Sequence, residues 1–138
     1  MSSQEKWDVC DPYPGAMIRI NTGLYYHYGI FIGNDEVIEF GRGSEAAGDP
    51  TDIRILRSSI DDFLACGGFL EVRLFDRKEK RRKRPDKAIV KYALSRVGEG
   101  GYDLLHNNCQ HFANECVFGE KGTTQLDALR AEISAKIK

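Results

Sequence analysis

Two cysteines and a histidine fall within the short run NNCQHFANEC, Asn107 to Cys116. Such residue types could hold a metal, fill an ordinary core, or open a helix with a nucleophile. Cys109, Phe112, Ala113, Cys116 and Val117 recur at the spacing of one buried helical face. Asn107 or Asn108 is a suitable N-cap, so Cys109 is expected in the first turn. Free backbone N–H groups and the positive end of the helix dipole gather there, which favours negative charge on sulfur. The same N–H groups can hold an oxyanion. Cys116 lies two turns deeper on the apolar face and reads as a packed core thiol. His111 lies off that stripe and reads as a packing or hydrogen-bonding residue. Zinc ligation by His106, Cys109 and Cys116 is disfavoured. Helical geometry separates the two thiols by about 10 Å, whereas zinc–sulfur bonds are about 2.3 Å.

A nucleophilic thiol needs a base, and the base needs an orienting group. His27 is the candidate base, in a stretch rich in aromatic and β-branched residues that reads as a strand from Leu24 to Ile32. The strand EVIEF returns after a GND turn and carries Glu39 between Ile38 and Phe40. A carboxylate in so apolar a strand is costly unless paired. Register decides whether it can meet His27. A two-residue loop, Asn34-Asp35, would set Ile30 opposite Glu39 and turn the carboxylate away. A three-residue loop beginning at Gly33 would set Gly29 opposite Glu39 and make His27 and Glu39 diagonal neighbours on one face. A His27–Glu39 pairing therefore predicts the longer loop, with Gly29 leaving space between the two side chains.

The elements around these residues can be read in order. Pro14-Gly15 is a turn before a strand with Ala16, Ile18 and Ile20 on one face. GRGSEAAGDPTD is loop and IRIL a short strand. A short helix follows, capped by Ser59, with Asp61 and Asp62 in its first turn and Gly67 beyond its end. FLEVRLF alternates Leu70, Val72 and Leu74 as a strand. A helix begins at Pro85 and ends before Gly98, with Ala88, Ile89, Tyr92, Ala93 and Val97 as its apolar set. Leu126, Leu129, Ile133 and Ile137 form the stripe of an amphipathic helix over about 124–137. The expected fold class is α+β, an antiparallel sheet packed against helices, in one domain spanning 1–138 with a core of about 13–125.

The chain has 138 residues and a formal net charge of −1, which excludes a global attraction to nucleic acid or acidic lipid. Yet RKEKRRKR, Arg77 to Arg84, holds seven of the 20 basic residues and one of the 21 acidic residues. It reads as a solvated, mobile loop, with contact to an anionic membrane surface as the sharper reading. No aromatic residue interleaves it, so base stacking and a nucleic-acid partner are not expected. The N-terminal residues MSSQEKWDVC lack the apolar core of a signal peptide. No window approaches the roughly 18 apolar residues of a spanning helix. The four scattered cysteines are therefore expected to be reduced thiols in the cytoplasm.

Two stretches resemble a known family. HYGIFIGNDEVIEF looks like the histidine-strand motif of the lecithin:retinol acyltransferase-like domains, and YDLLHNNCQHFANECVFGEKGTTQ looks like their cysteine motif. PGAMIRI is similar to the strand that opens such domains, although the family often has an acid where Ala16 stands. The resemblance implies a circularly permuted papain-like core, Cys109 as nucleophile, His27 as base and a structural role for His111. Its third polar position falls on Glu39, where many members carry a second histidine. The implied reaction is acyl transfer through a thioester, with an acyl ester or amide as substrate and neither cofactor nor metal. Some members carry a C-terminal membrane anchor; with no comparable apolar run here, a weak, salt-dependent contact through the basic run is the alternative to its reading as a solvated loop. A cysteine peptidase or amidase of the same fold would use the same residues, separated by its groove: apolar for acyl chains, open and polar for peptides. A non-catalytic binding module is the third reading.

Overall fold

Strand β3 (Tyr26–Gly33) is the spine of the molecule, and its pairing with β4 (Glu36–Gly41) sets the site. A computed structural model describes residues 5–41, 52–65, 67–103 and 108–119. The predicted loop over 42–51, His106, Asn107, Cys66 and the predicted C-terminal helix lie outside the described residues. Asn34 and Asp35 both adopt positive φ, as a two-residue type I′ hairpin turn requires, and Gly33 pairs with Glu36 across it. The loop is thus the short one, against the expectation of three residues. The expected register is nonetheless present, because the pairing shifts between Phe31 and Gly33. This β-bulge inserts one extra residue into β3. Gly29 consequently stands opposite Glu39.

Four further strands complete the sheet: β1 (Lys6–Asp8), β2 (Met17–Asn21), β5 (Arg54–Ser59) and β6 (Glu71–Leu74). Their order is β1-β6-β2-β3-β4-β5, and each neighbouring pair is antiparallel. The alternation read from PGAMIRI holds. Ala16, Ile18 and Ile20 pack on one face with Phe31, Val37, Val72 and Phe63. Phe63 comes from α1 (Ile60–Leu64), whose N-cap Ser59 accepts from the Asp62 amide. Strand β3 begins at Tyr26 rather than Leu24. The Thr22 amide and hydroxyl both donate to the Tyr25 carbonyl and hold Leu24 and Tyr25 in the turn.

The other face carries Met17, Tyr28, Ile30, Ile38, Phe40 and Ile55. It is covered by α3 (Asp86–Ser95) and α4 (Cys109–Phe118) through Ile89, Ala93, Phe112, Ala113, Cys116 and Val117. Helix α3 ends at Ser95, so Val97, expected in its apolar set, is exposed. Leu74, expected inside, is exposed as well, while its neighbour Arg73 is buried and paired with Glu79.

The basic run departs most from its reading as a loop. Arg77–Arg82 is a helix, α2, set by a capping box. Asp76 Oδ1 accepts from the Glu79 amide at 2.7 Å, and the Asp76 amide donates to Glu79 Oε1 at 3.1 Å. Arg82 lies over Phe118 at 5.1 Å, so this helix is fastened to the end of α4 remote from Cys109. Among the described residues no helix is long and apolar enough to cross a membrane.

Gly29 occupies a closed position. A Cβ there would stand 2.8 Å from Val37 Cγ1 and 2.9 Å from Phe63 Cε1. The space expected between His27 and Glu39 is therefore filled by the Phe63 ring. Gly29→Ala should lower stability by about 1–3 kcal/mol through overpacking. The expected readout is a lower guanidinium midpoint with an unchanged m-value, and an unchanged midpoint would show that Phe63 yields freely.

Candidate active site

His27 and Glu39 project from neighbouring strands onto the Phe63 face, and each is only 9% exposed. The His27 ring stacks on Phe63 with centroids 5.0 Å apart. Its Nε2 donates to Glu39 Oε1 at 2.8 Å. The diagonal pairing inferred from the sequence is thus present. One partner was missed: nothing in the spacing marked Phe63 as the plate beneath the imidazole, because α1 and β3 meet only in the folded chain.

Cys109 opens α4. Asn108 is the N-cap; its side chain accepts from the His111 amide at 2.9 Å, and its amide donates to His111 Nδ1 at 3.2 Å. His111, fully buried, closes this capping box and so serves the hydrogen-bonding role read for it. Cys116 is also fully buried on the same helix, where desolvation pushes its thiol well up. Cys109 lines a cleft that Cys116 does not reach.

That cleft has a volume of about 730 Å³. Its lining includes Glu39, Phe40 and Gly41 in succession, and consecutive strand residues point to opposite faces. The cleft therefore wraps the end of β4, which is how Cys109, from the layer on one face, and His27, from the other, line a common space. Phe40, Ile53, Leu56 and Tyr102 give it apolar walls, and Tyr102 packs edge-on against Phe40 with centroids 5.3 Å apart. Ser58, Ser59 and Asp62 give it a polar side where β5 runs into α1. The lining is thus of neither pure kind foreseen for the groove.

Burial is the largest influence on the His27 pKa and lowers it. Hydrogen bonding and charge from Cys109 and Glu39 outweigh burial and raise the pKa to about 9. His27 thus sits between the carboxylate it bonds and the cleft that Cys109 also lines, and its raised pKa favours the protonated ring at neutral pH.

A family model described as lecithin retinol acyltransferase matches residues 10–122. The chain belongs to this family. It is 30% identical over 133 residues to the mouse protein named phospholipase A and acyltransferase 3, covering 89% of this chain and 82% of that one. The human protein of the same name is 29% identical over 127 residues, covering 86% and 78%. Bovine lecithin retinol acyltransferase is 27% identical over 135 residues, covering 82% of this chain and 57% of its own. Membership agrees with the resemblance read from the two motifs, and the match embraces β2, the β3–β4 hairpin and α4.

The raised pKa has a sign that can be tested. The folded-state value of about 9 lies above the ordinary 6.5. Protonated His27 therefore adds stability that is complete below about pH 6.5 and is lost as the pH rises through about 9. Glu39→Gln removes one of the two partners that raise it. NMR titration should find the His27 pKa shifted down in this variant, with a flatter stability profile between those pH values. An unmoved titration would show that the carboxylate does not hold the proton on the ring.

Proposed function

We propose that this protein is a thiol-dependent acyl hydrolase or acyltransferase acting on phospholipid-type esters through a thioester on Cys109. The observation that supports the reading is the buried His27–Glu39 pair in a cleft that Cys109 also lines, a cleft with an apolar and a polar side. The names of the relatives, phospholipase A and acyltransferase and lecithin retinol acyltransferase, support a lipid ester as substrate. An ester with an acyl chain and a polar headgroup suits the mixed lining. Phe40, Ile53 and Tyr102 would receive the chain; Ser58, Ser59 and Asp62 would face the headgroup. A histidine strand that precedes the cysteine helix is the order of a circularly permuted papain-like core.

The chemistry follows from the protonated imidazole. Cys109 attacks as the thiolate paired with the His27 imidazolium. Sulfur bonds to the carbonyl carbon, and the oxyanion is held by N–H groups at the start of α4, the Cys109 amide first among them. The carbon–oxygen bond of the ester breaks, and His27 gives its proton to the departing alkoxide. Water, an alcohol or an amine then loses a proton to His27 and attacks the thioester, restoring the thiolate. Water makes the reaction a hydrolysis; the other acceptors make it a transfer. Glu39 keeps the ring oriented and stabilises its cation throughout.

Intact-mass analysis after exposure to phosphatidylcholine should show one acyl group added to the wild type and none to Cys109→Ala. His27→Gln should slow the addition by about 10²–10⁴-fold, and the wild-type rate should fall as the pH rises past about 9. A wild type that takes up no acyl group from any ester donor would sink the reading.

A further inference from the structure

The three most exposed large apolar side chains among the described residues are Leu24 at 93%, Phe69 at 79% and Val9 at 63%. They come from three separate segments, yet the strand pairing brings them to one end of the sheet. Strand β1 runs toward Val9 where β6 begins, just after Phe69. The start of β6 lies beside the end of β2, and the β2–β3 turn there carries Leu24. A Cβ on Gly68 would stand 2.5 Å from the Asn21 carbonyl, so the segment bearing Phe69 lies directly against that turn.

The same end holds the part of the cleft lined by His27 and Gly41, while the polar side runs on along β5 to Ser59. His27 lies at the start of β3 and Gly41 at the end of β4, and both line the cleft. Tyr25, itself exposed and next to Leu24, belongs to the cleft wall. The apolar rim is thus continuous with the cleft mouth. Among the described residues its charge is not that of an anion-binding surface. Asp8 and Asp11 are exposed beside Val9, and Arg54 at the start of β5 is held by Asp52 at 2.8 Å. The basic helix α2 follows the other end of β6 and packs beside Phe118, at the far end of α4. Contact through α2 would turn the cleft away from the contacted surface.

We infer that the rim of Leu24, Phe69 and Val9 seats the protein on an electrically neutral phospholipid surface, with the cleft facing the lipid. The choice of partner rests on the phospholipid reading above. Inserted side chains transfer apolar area from water into the acyl–headgroup boundary, and so hold the mouth against the layer that contains the ester. The basic run, for which membrane contact was the sharper of two sequence readings, has no part in this seating.

Co-sedimentation with neutral phosphatidylcholine vesicles tests it. The wild type and Cys109→Ala should bind alike and with little dependence on salt, so binding is measured apart from chemistry. Leu24→Ser with Phe69→Ser should weaken binding by about tenfold or more. That variant should keep wild-type hydrolysis of a short-chain ester dissolved as monomers, which shows it is folded, while losing activity on vesicles. Lys78→Glu with Arg81→Glu should bind neutral vesicles as the wild type does. Wild type that ignores neutral vesicles, a double variant that binds them undiminished, or sedimentation showing that the rim instead joins two copies of the chain would each overturn the inference. Vesicle binding without any acyl adduct would leave the surface standing and remove the thioester chemistry alone.

Discussion

A carboxylate and an imidazole, each about nine-tenths buried, can remain in this interior only because they meet. Either one alone would leave an uncompensated polar group among Phe31, Val37 and Phe63. Their meeting depends on one extra residue in β3. Without the bulge, a two-residue turn at Asn34-Asp35 would slide β3 by one position and send Glu39 to the opposite face. The bulge near Ile32 thus governs the site from several residues away. Gly29 completes the arrangement by letting Phe63 approach closely enough to support the His27 ring.

The thiol reaches this pair by a different route. It belongs to the helical layer on the far face, and only the end of β4 lets the two layers share a space. The Asn108–His111 capping box fixes where α4 starts, and the packing of Phe112, Ala113, Cys116 and Val117 fixes which way its first residue points. A second polar constellation, Tyr92, Arg96 and Glu115, ties α3 to α4 with contacts of 2.8–2.9 Å and keeps the helical layer aligned with the sheet. The result is a molecule with two unlike ends. One carries the cleft and an apolar rim; the other carries the capped basic helix.

By its resemblance to the family motif, Glu39 takes a position where many members have a second histidine, and that difference has a chemical consequence. A carboxylate is anionic throughout the physiological range and favours the imidazolium form of its partner, whereas a neutral histidine would not. The raised pKa of His27 reflects that choice together with the proximity of Cys109. The imidazole of the His27 strand thus has a carboxylate as its hydrogen-bond partner.

The elements that carry Cys109, His27 and Glu39 were legible in the chain because each is set by local rules. Helical spacing and an asparagine cap mark the Cys109 helix, and a carboxylate flanked by Ile38 and Phe40 demands a partner. Strand alternation likewise sorted Ala16, Ile18 and Ile20 to one face. Other features were hidden for physical reasons. The bulge is a compromise between turn geometry and packing, so loop length alone pointed to the wrong turn while the register came out as needed. The basic run looked like a loop because charge dominates its composition, whereas Asp76 and Glu79 form a capping box there and Phe118 gives it a seat. The Phe63 plate, the cleft that joins two faces and the shared end of Leu24, Phe69 and Val9 unite residues far apart in the chain. Local propensity determines which segments form and what each side chain can do; only the antiparallel order of six strands determines which of them become neighbours.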